Sequence, residues 1–353
     1  MLADNNTPLA AVAFDQLRPD GTRMVVVVAR CRIELDDAGN ARYAPSQELV
    51  LSDQFEGDPQ KAPLIRPSDL VPYRPAADVT VRGSLRSERP LPVISASIAV
   101  ADQVRSVSAT GPRRWFYDRT WRMTEPEAIA EVPLSYALAF GGRVIGHPDG
   151  AVDPRNPIGT GTIHPDFTPK SLDFAAPQIV AARDDPSGLP ARLSDPKGFG
   201  PIPPWWQDRQ QHAGTYDEAW KQSQHPRLPL NFDYRFYQCA HPDLIMPGYL
   251  KPGMTVRTRG FRPGGAAFEF TIPDIAPFAR YSFTDGREVE VRLHLDGLHL
   301  DFTGSRPTCD LTWRAWIESC PALYRADLDM APWYTLLERR LPVSGPEGLR
   351  EVP

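Results

Sequence analysis

The sequence predicts a mainly β fold: antiparallel sandwich or barrel-like sheets with long Gly/Pro-rich ordered coil and a few short helices. Three observations predict it. Proline takes 39 of 353 positions, roughly twice ordinary usage, and proline is excluded from helix interiors and central strands. Apolar and polar side chains alternate along several short segments, the period of a half-buried strand. Turn residues separate those segments at the spacing of a sandwich or barrel.

The elements follow in order. Met24 to Leu35 opens as an apolar run and passes into alternation, with Cys31 and Ile33 set against Arg32 and Glu34. Asp20-Gly21 before it is a hairpin signal, and Asp37-Ala38-Gly39-Asn40 after it is a turn. Asp78 to Leu85 alternates, with Gly83 expected to mark a bulge. Val93 to Ala101 and Val104 to Val107 are strands joined through Asp102-Gln103. Thr215 to Ser223 is a short helix, with Thr215 and Glu218 in capping-box positions, Trp220 facing inward and Pro226 ending it. Glu288 to Gly304 reads as a hairpin about Asp296-Gly297. That pairing would set Leu295 against Leu298, His294 against His299 and Arg292 against Asp301. Leu311 to Ile317 is a further strand. A helix is expected from about Met330 to Arg340, with Asp329 as cap and Trp333, Leu336 and Leu337 on the core.

Between Gly141 and Pro204 the character changes: twelve prolines, nine glycines and little periodicity. Apolar segments bound this stretch, and it contains Phe167, Phe174 and Phe199. It is therefore expected as ordered coil wrapped over sheets, and as the functional surface. The chain divides into an N-terminal β-sheet region (1–125), a Gly/Pro-rich central region (126–240) and a C-terminal region of hairpin and helix (241–353), read as one compact unit.

Composition excludes several classes. Hydrophobic residues make up 41% and charged residues 24%, enough for a packed core. Strictly apolar runs reach six residues, as in Met24–Ala29, where a membrane helix needs about 20. The opening Met1-Leu2-Ala3-Asp4-Asn5-Asn6 lacks the basic and apolar parts of a secretory signal. Cysteines at 31, 239, 309 and 320 form no CxxC pair, so a reduced, cytoplasmic protein is expected. A net charge of −5 argues against nucleic acid as the main partner.

Several constellations carry potential chemistry. His164-Pro165-Asp166 places an acid and a base in one turn, though a turn-stabilising pair is the plainer reading. Cys239 and His241, with His212 or His225 brought in by the fold, offer metal-ligand types, but the spacing supplies too few ligands for zinc. Across the expected hairpin, His294 and His299 would form a second such pair. Trp205, Trp206, Tyr216 and Trp220 beside Asp208, Asp217 and Asp233 sketch a glycan-acting hydrolase. The alternative is that the tryptophans anchor an extended Pro-rich segment. Arg105, Arg113, Arg114, Arg119 and Arg122, interleaved with Trp115, Phe116, Tyr117 and Trp121, resemble a nucleic-acid surface. In an acidic chain they read better as arginine packing at a protein interface. Neither GxGxxG nor HExxH is present.

An ordered set of segments carries a family resemblance. It comprises Ser68-Asp69-Leu70-Val71-Pro72, Ala77-Asp78-Val79, Gly111 to Trp115, Leu134 to Gly142, Asn156 to Gly161 and Gly198-Phe199-Gly200-Pro201. Trp206-Gln207-Asp208-Arg209, Gly214-Thr215-Tyr216-Asp217 with Trp220, and Leu228 to Asp233 with Arg235 and Phe236 complete it. Together they resemble the domain-of-unknown-function family twenty-one sixty-nine, found beside type VI secretion genes. The resemblance implies a cytoplasmic adaptor or chaperone. Such a protein holds an effector and helps load it onto the spike, a VgrG-type trimer tipped by a PAAR protein. It implies no catalytic residue, no metal and no cofactor. The family's usual Leu-Pro-Asn near Ser171-Leu172 is replaced here. At residue level, Gly198, Phe199, Gly200, Trp206, Thr215, Tyr216 and Trp220 are expected as structural-motif residues that also serve as partner-binding candidates. Asp208, Arg209, Asp217, Asp233 and Arg235 suit a partly buried ionic network that fixes the coil.

Overall fold

Strand Arg23–Leu35 is the element around which the rest is laid. Its valine run is β-branched and rigid at χ1, which favours extended backbone. The computed structural model describes residues 2–164, 167, 173–181, 195–346 and 348–350. On one side Arg23–Leu35 pairs antiparallel with Ala10–Leu17. The connecting turn is the one Asp20-Gly21 signals: Arg18 N donates to Thr22 O at 2.9 Å, and Gly21 sits at φ +90°, a conformation glycine adopts freely. On the other side it pairs antiparallel with Thr308–Glu318. His294–Asp301 follows antiparallel, then Asp78–Arg82 parallel at the edge. Ala41–Tyr43 turns back onto the end of Arg23–Leu35.

A second sheet runs Leu2–Asn5, Leu323–Met330, Pro277–Phe283, Glu288–Arg292, Val343–Gly345, Gly348–Arg350. A third runs Ile179–Ala181, Gln103–Thr110, Val93–Val100, Thr255–Arg259, Phe268–Thr271. Their inner faces meet in one apolar core, with Val27 and Leu311 from the first sheet, Ala279 and Tyr281 from the second, and Ile98 and Val107 from the third. Each sheet is an open ladder, so the mainly β architecture is layered and unclosed.

Two expectations are corrected. Asp296-Gly297 is not a hairpin turn. His294–Asp301 is one continuous strand, and the register against Thr308–Glu318 slips between Leu295 and Gly297. Asp296 is the extra residue of a bulge, which keeps both Leu295 and Leu298 on the core face. The apolar phase change that suggests a turn is this bulge. His294 and His299 therefore do not face each other. The ring of His294 stacks on Tyr249 with centroids 3.7 Å apart, and His299 Nδ1 lies 2.8 Å from Thr80 Oγ1. The late helix is shorter than expected, Trp333–Glu338, and Asp329 belongs to the preceding strand. The carboxylate of Asp274 accepts from Trp333 N at 2.8 Å instead, and Leu337 points outward, 46% exposed.

The other face of the central sheet is polar yet buried. Alternation puts Arg30 and Arg32, Asp310, Thr312 and Arg314, His299, and Asp78 and Thr80 on that face. Asp310 accepts from Arg30 Nη2 at 2.6 Å and from Arg32 Nε at 2.7 Å. These guanidinium contacts hold its carboxyl down at about 2 against the upward push of burial. Both oxygens of Asp69 accept from Arg30 Nη1 at 3.0 Å, and Oδ2 also accepts from Val50 N at 2.8 Å. The bulge residue Asp296 pairs with Arg314. Arg314 also donates to Val71 O at 2.9 Å and to Asp69 O at 3.0 Å. Arg74 donates to Tyr237 O at 3.0 Å. The coil segments 49–74 and 237–249 thus lie on this face through backbone carbonyls that arginines satisfy.

Removing one partner of such a pair strands the other charge. We expect Asp296→Ala to cost about 3–5 kcal/mol, read from urea denaturation midpoints. A loss below about 1 kcal/mol, the range of an exposed pair, would contradict the buried pairing. Burial lowers the pKa of both His294 and His299 to about 4, whereas an unfolded histidine titrates near 6.5. Between those values the unfolded chain binds more protons, so these two groups make stability fall as pH falls. Denaturation midpoints at pH 7 and 5 check this. His294→Gln should flatten the slope, and an unchanged slope would rule out a neutral His294.

Candidate functional site

Three of the motif segments converge on Tyr136. Ser135 caps the short turn Tyr136–Leu138 by accepting from Ala137 N at 3.3 Å. The Tyr136 ring is buried and packs edge-on against Trp206, with centroids 5.1 Å apart. Its hydroxyl donates to Gly200 O at 3.3 Å. A Cβ on Gly198 would stand 2.6 Å from a ring carbon of Tyr136, which is why that position holds glycine. Asn156 is 0% exposed and donates from Nδ2 to Tyr136 O at 2.8 Å and Phe140 O at 2.9 Å. Gly142, at φ +79°, turns where any Cβ would overlap the Gly159 carbonyl. The Leu134–Gly142, Asn156–Gly161 and Gly198–Trp206 motifs are thus three sides of one joint.

From this joint a strap crosses the molecule. Phe199 O accepts from Val81 N at 2.7 Å, covering the edge strand of the central sheet. Ile202 N donates to Cys239 O at 2.6 Å. Of the two tryptophans only Trp206 enters the core. Trp205 lies on the surface, 39% exposed, and stacks on Phe55 at 5.2 Å.

The five charged motif residues do not form the single network expected of them. Arg209 is buried and donates to two carbonyls, Phe236 O at 2.8 Å and Ile202 O at 3.0 Å, with its guanidinium over the Phe236 ring. Asp208 is half-buried, and burial pushes its carboxyl up. Asp217 is the helix cap, accepting from Trp220 N at 2.8 Å. That corrects the capping box: the helix runs Glu218–Ser223, and Thr215 instead exchanges hydrogen bonds with the Asn231 amide. A cap must accept from N2 or N3, and Asp217, not Thr215, stands three residues before Trp220. Nor does Trp220 reach a buried position. It packs between Tyr216 and His225 and donates from Nε1 to Arg227 O at 2.8 Å. Asp233 accepts from Arg235 N at 2.9 Å and from its Nε at 2.7 Å. Among the described residues these five share the Asp233–Arg235 pair alone. Arg209 and Asp217 are held by backbone.

The other constellations separate too. Cys239 donates to Asp78 Oδ2 through its N–H at 2.7 Å and its thiol at 3.3 Å. Burial and that carboxylate push the thiol up to about 12. His241 sits against Pro196 O through Nε2 at 2.9 Å. Among the described residues no group of three or more His, Cys, Asp or Glu is placed to hold a metal ion. Pro165, Asp166, Ser171 and Leu172 lie outside the described residues, and His164 packs edge-on against His147. In the basic aromatic stretch Trp115 and Arg113 are buried, while Trp121 packs between Tyr117 and Phe174.

A family model described as "Uncharacterized protein conserved in bacteria (DUF2169)" matches residues 20–314. The chain belongs to this family. The DUF2169 match begins in the hairpin beside Arg23–Leu35 and ends on Arg314, so it contains the motif joint and the whole charged layer under the coil. No curated protein and no solved structure matches the chain.

Gly198→Ala tests the joint. The added methyl meets the Tyr136 ring, and overpacking of this kind costs about 1–3 kcal/mol. A lower melting temperature and a changed near-ultraviolet circular dichroism signal are expected. Unchanged values would mean the contact is loose.

Proposed function

We propose that this chain is a non-catalytic type VI secretion adaptor, a chaperone that binds an effector protein and helps load it onto the VgrG/PAAR spike. The observation that carries this reading is where the motif side chains are used. Arg209, Asp217, Asn156 and Tyr136 bond to the chain's own backbone and hold coil in one shape. Their chemistry is directed inward, as a docking scaffold requires. Around the motifs, between residues 205 and 230, large apolar side chains remain exposed: Trp205 at 39%, Tyr216 at 52% and Leu230 at 67%. Aromatic anchors of this kind dominate protein–protein contacts. A small-molecule active site would gather its polar groups into a cleft, and here Asp217 and Asp233 cap their own turns. The resemblance to a family found beside type VI secretion genes names the partners: the effector, and the spike with its tip protein.

Affinity capture from cells expressing effector and spike tests the reading. The chain should recover the effector, with VgrG or PAAR protein. The double variant Trp205→Ala/Leu230→Ser should lose at least about tenfold of that recovery, as hot-spot truncation does, with its melting temperature unchanged. Recovery of only general chaperones and ribosomal proteins would overturn the proposal.

A further inference from the structure

Arg66 stands apart within the charged layer. Its neighbours are paired: Arg30 with Asp69 and Asp310, Arg32 with Asp310, Arg74 with Asp78, Arg314 with Asp296. Arg66 makes no ion pair with any described residue, and its Nε is sealed from solvent without a hydrogen-bond partner. The layer therefore holds five guanidinium groups against four carboxylates. Asp301, nearby, is already engaged by Arg82 and Thr303. One positive charge is left over, and it is Arg66.

That charge lies where two cavities meet. One, of about 90 Å³, is lined by Arg66 with Arg32, Ser46, Glu48 and Gln54. The other, of about 30 Å³, is lined by Arg66 with Arg30, Asp310 and His299, and His299 Nε2 is also unpartnered. Arg66 comes from a short strand, Leu64–Arg66, paired with Gln54–Phe55. Its position is thus set by backbone pairing and not by any bond of its guanidinium. Burial works against its charge, as do the neighbouring Arg32 and Arg30, while Asp310 and Asp301, both already paired with other arginines, favour it from a distance. An uncompensated half-buried cation is costly and calls for an anion.

We propose that the larger cavity is a binding site for a carboxylate group, held by the Arg66 guanidinium with Arg32 at its side. The planar fork of arginine matches a carboxylate in two parallel hydrogen bonds. Liquid water occupies about 30 Å³ per molecule, so the space suits a group of a few heavy atoms. The exposed Glu48 carboxylate, which accepts from Ser46 Oγ at 2.8 Å, opposes a doubly charged phosphate or sulfate and favours a single negative charge. The site goes beyond the adaptor reading and stands without it. Its occupant is either a small free acid or an aspartate or glutamate side chain offered by another protein.

The test is a melting-temperature titration of the full chain at constant ionic strength. Sodium acetate represents the free acid, N-acetyl-aspartate amide the side chain within a peptide, and sodium chloride the screening control. Acetate should raise the melting temperature saturably, with half-saturation at about 1–10 mM, the range open to so small a ligand. Arg66→Gln should fold normally, because the Arg66 guanidinium bonds to no described residue and the backbone pairing is kept, and should weaken acetate by at least about tenfold. Arg66→Lys, which keeps charge without the fork, should fall between. A response to the aspartate amide as well assigns the site to a protein side chain, and a response to acetate alone assigns it to a free acid. An equal response to chloride, no response to either carboxylate, or full retention in Arg66→Gln would overturn the proposal.

Discussion

A polar sheet face buried under irregular coil is the constraint that organises this molecule. Coil leaves carbonyls without the partners that a helix would supply. Here arginines on the sheet supply them: Arg314 to Val71 O and Asp69 O, Arg74 to Tyr237 O. The guanidiniums in turn need counter-charges, and Asp69, Asp78, Asp296 and Asp310 provide them. Burying four aspartates is expensive unless every oxygen is used. Among these carboxylate oxygens, Asp78 Oδ1 is sealed from solvent without a hydrogen-bond partner. The bulge at Asp296 belongs to the same logic, since it turns an extra acid toward Arg314 without moving any leucine off the core.

The motif joint solves the neighbouring problem by other means. Around Tyr136 the coil is held by a buried amide, a hydroxyl and close packing against glycine. The two devices meet at Cys239, whose carbonyl takes the strap at Ile202 and whose N–H and thiol reach Asp78. Strap and charged layer therefore hold one another in place. A rigid frame of this kind presents Trp205 and Tyr216 at fixed positions, which lowers the ordering cost of any partner's binding.

Much of the β architecture was legible in the sequence, because strands of period two with glycine turns depend on local chemistry. The turn at Asp20-Gly21 and the strands Val93–Val100 and Gln103–Thr110 are examples. Asp296-Gly297 misled for a physical reason. An Asp-Gly pair is a turn signal only where the aspartate faces water, and this one faces Arg314. The charged layer left a trace in Arg30, Arg32, Asp310, Thr312 and Arg314 at alternate positions of otherwise apolar strands. Its pairing could not be read, since Arg30 and Asp310 are 280 residues apart. Thr215 and Asp217 both have a side chain of capping type, and only the backbone path decides which oxygen reaches Trp220 N. The motif charges looked like a network because they cluster in sequence. The nearest partners are backbone groups for Arg209 (carbonyls) and Asp217 (an N–H), and backbone carries no sequence signature.

The central sheet places Arg23–Leu35 beside Thr308–Glu318, joining residues as far apart in sequence as Arg30 and Asp310, 280 positions. During synthesis the early hairpin emerges with Arg30 and Arg32 in hand and must wait for Asp310. Closing so wide a loop is slow. A nascent or truncated chain that stops before residue 308 exposes one full flank of a valine-rich strand together with unneutralised guanidiniums. The central sheet is thus complete only once residues 308–318 are present, and fragments ending before them are the species most exposed to strand-to-strand aggregation.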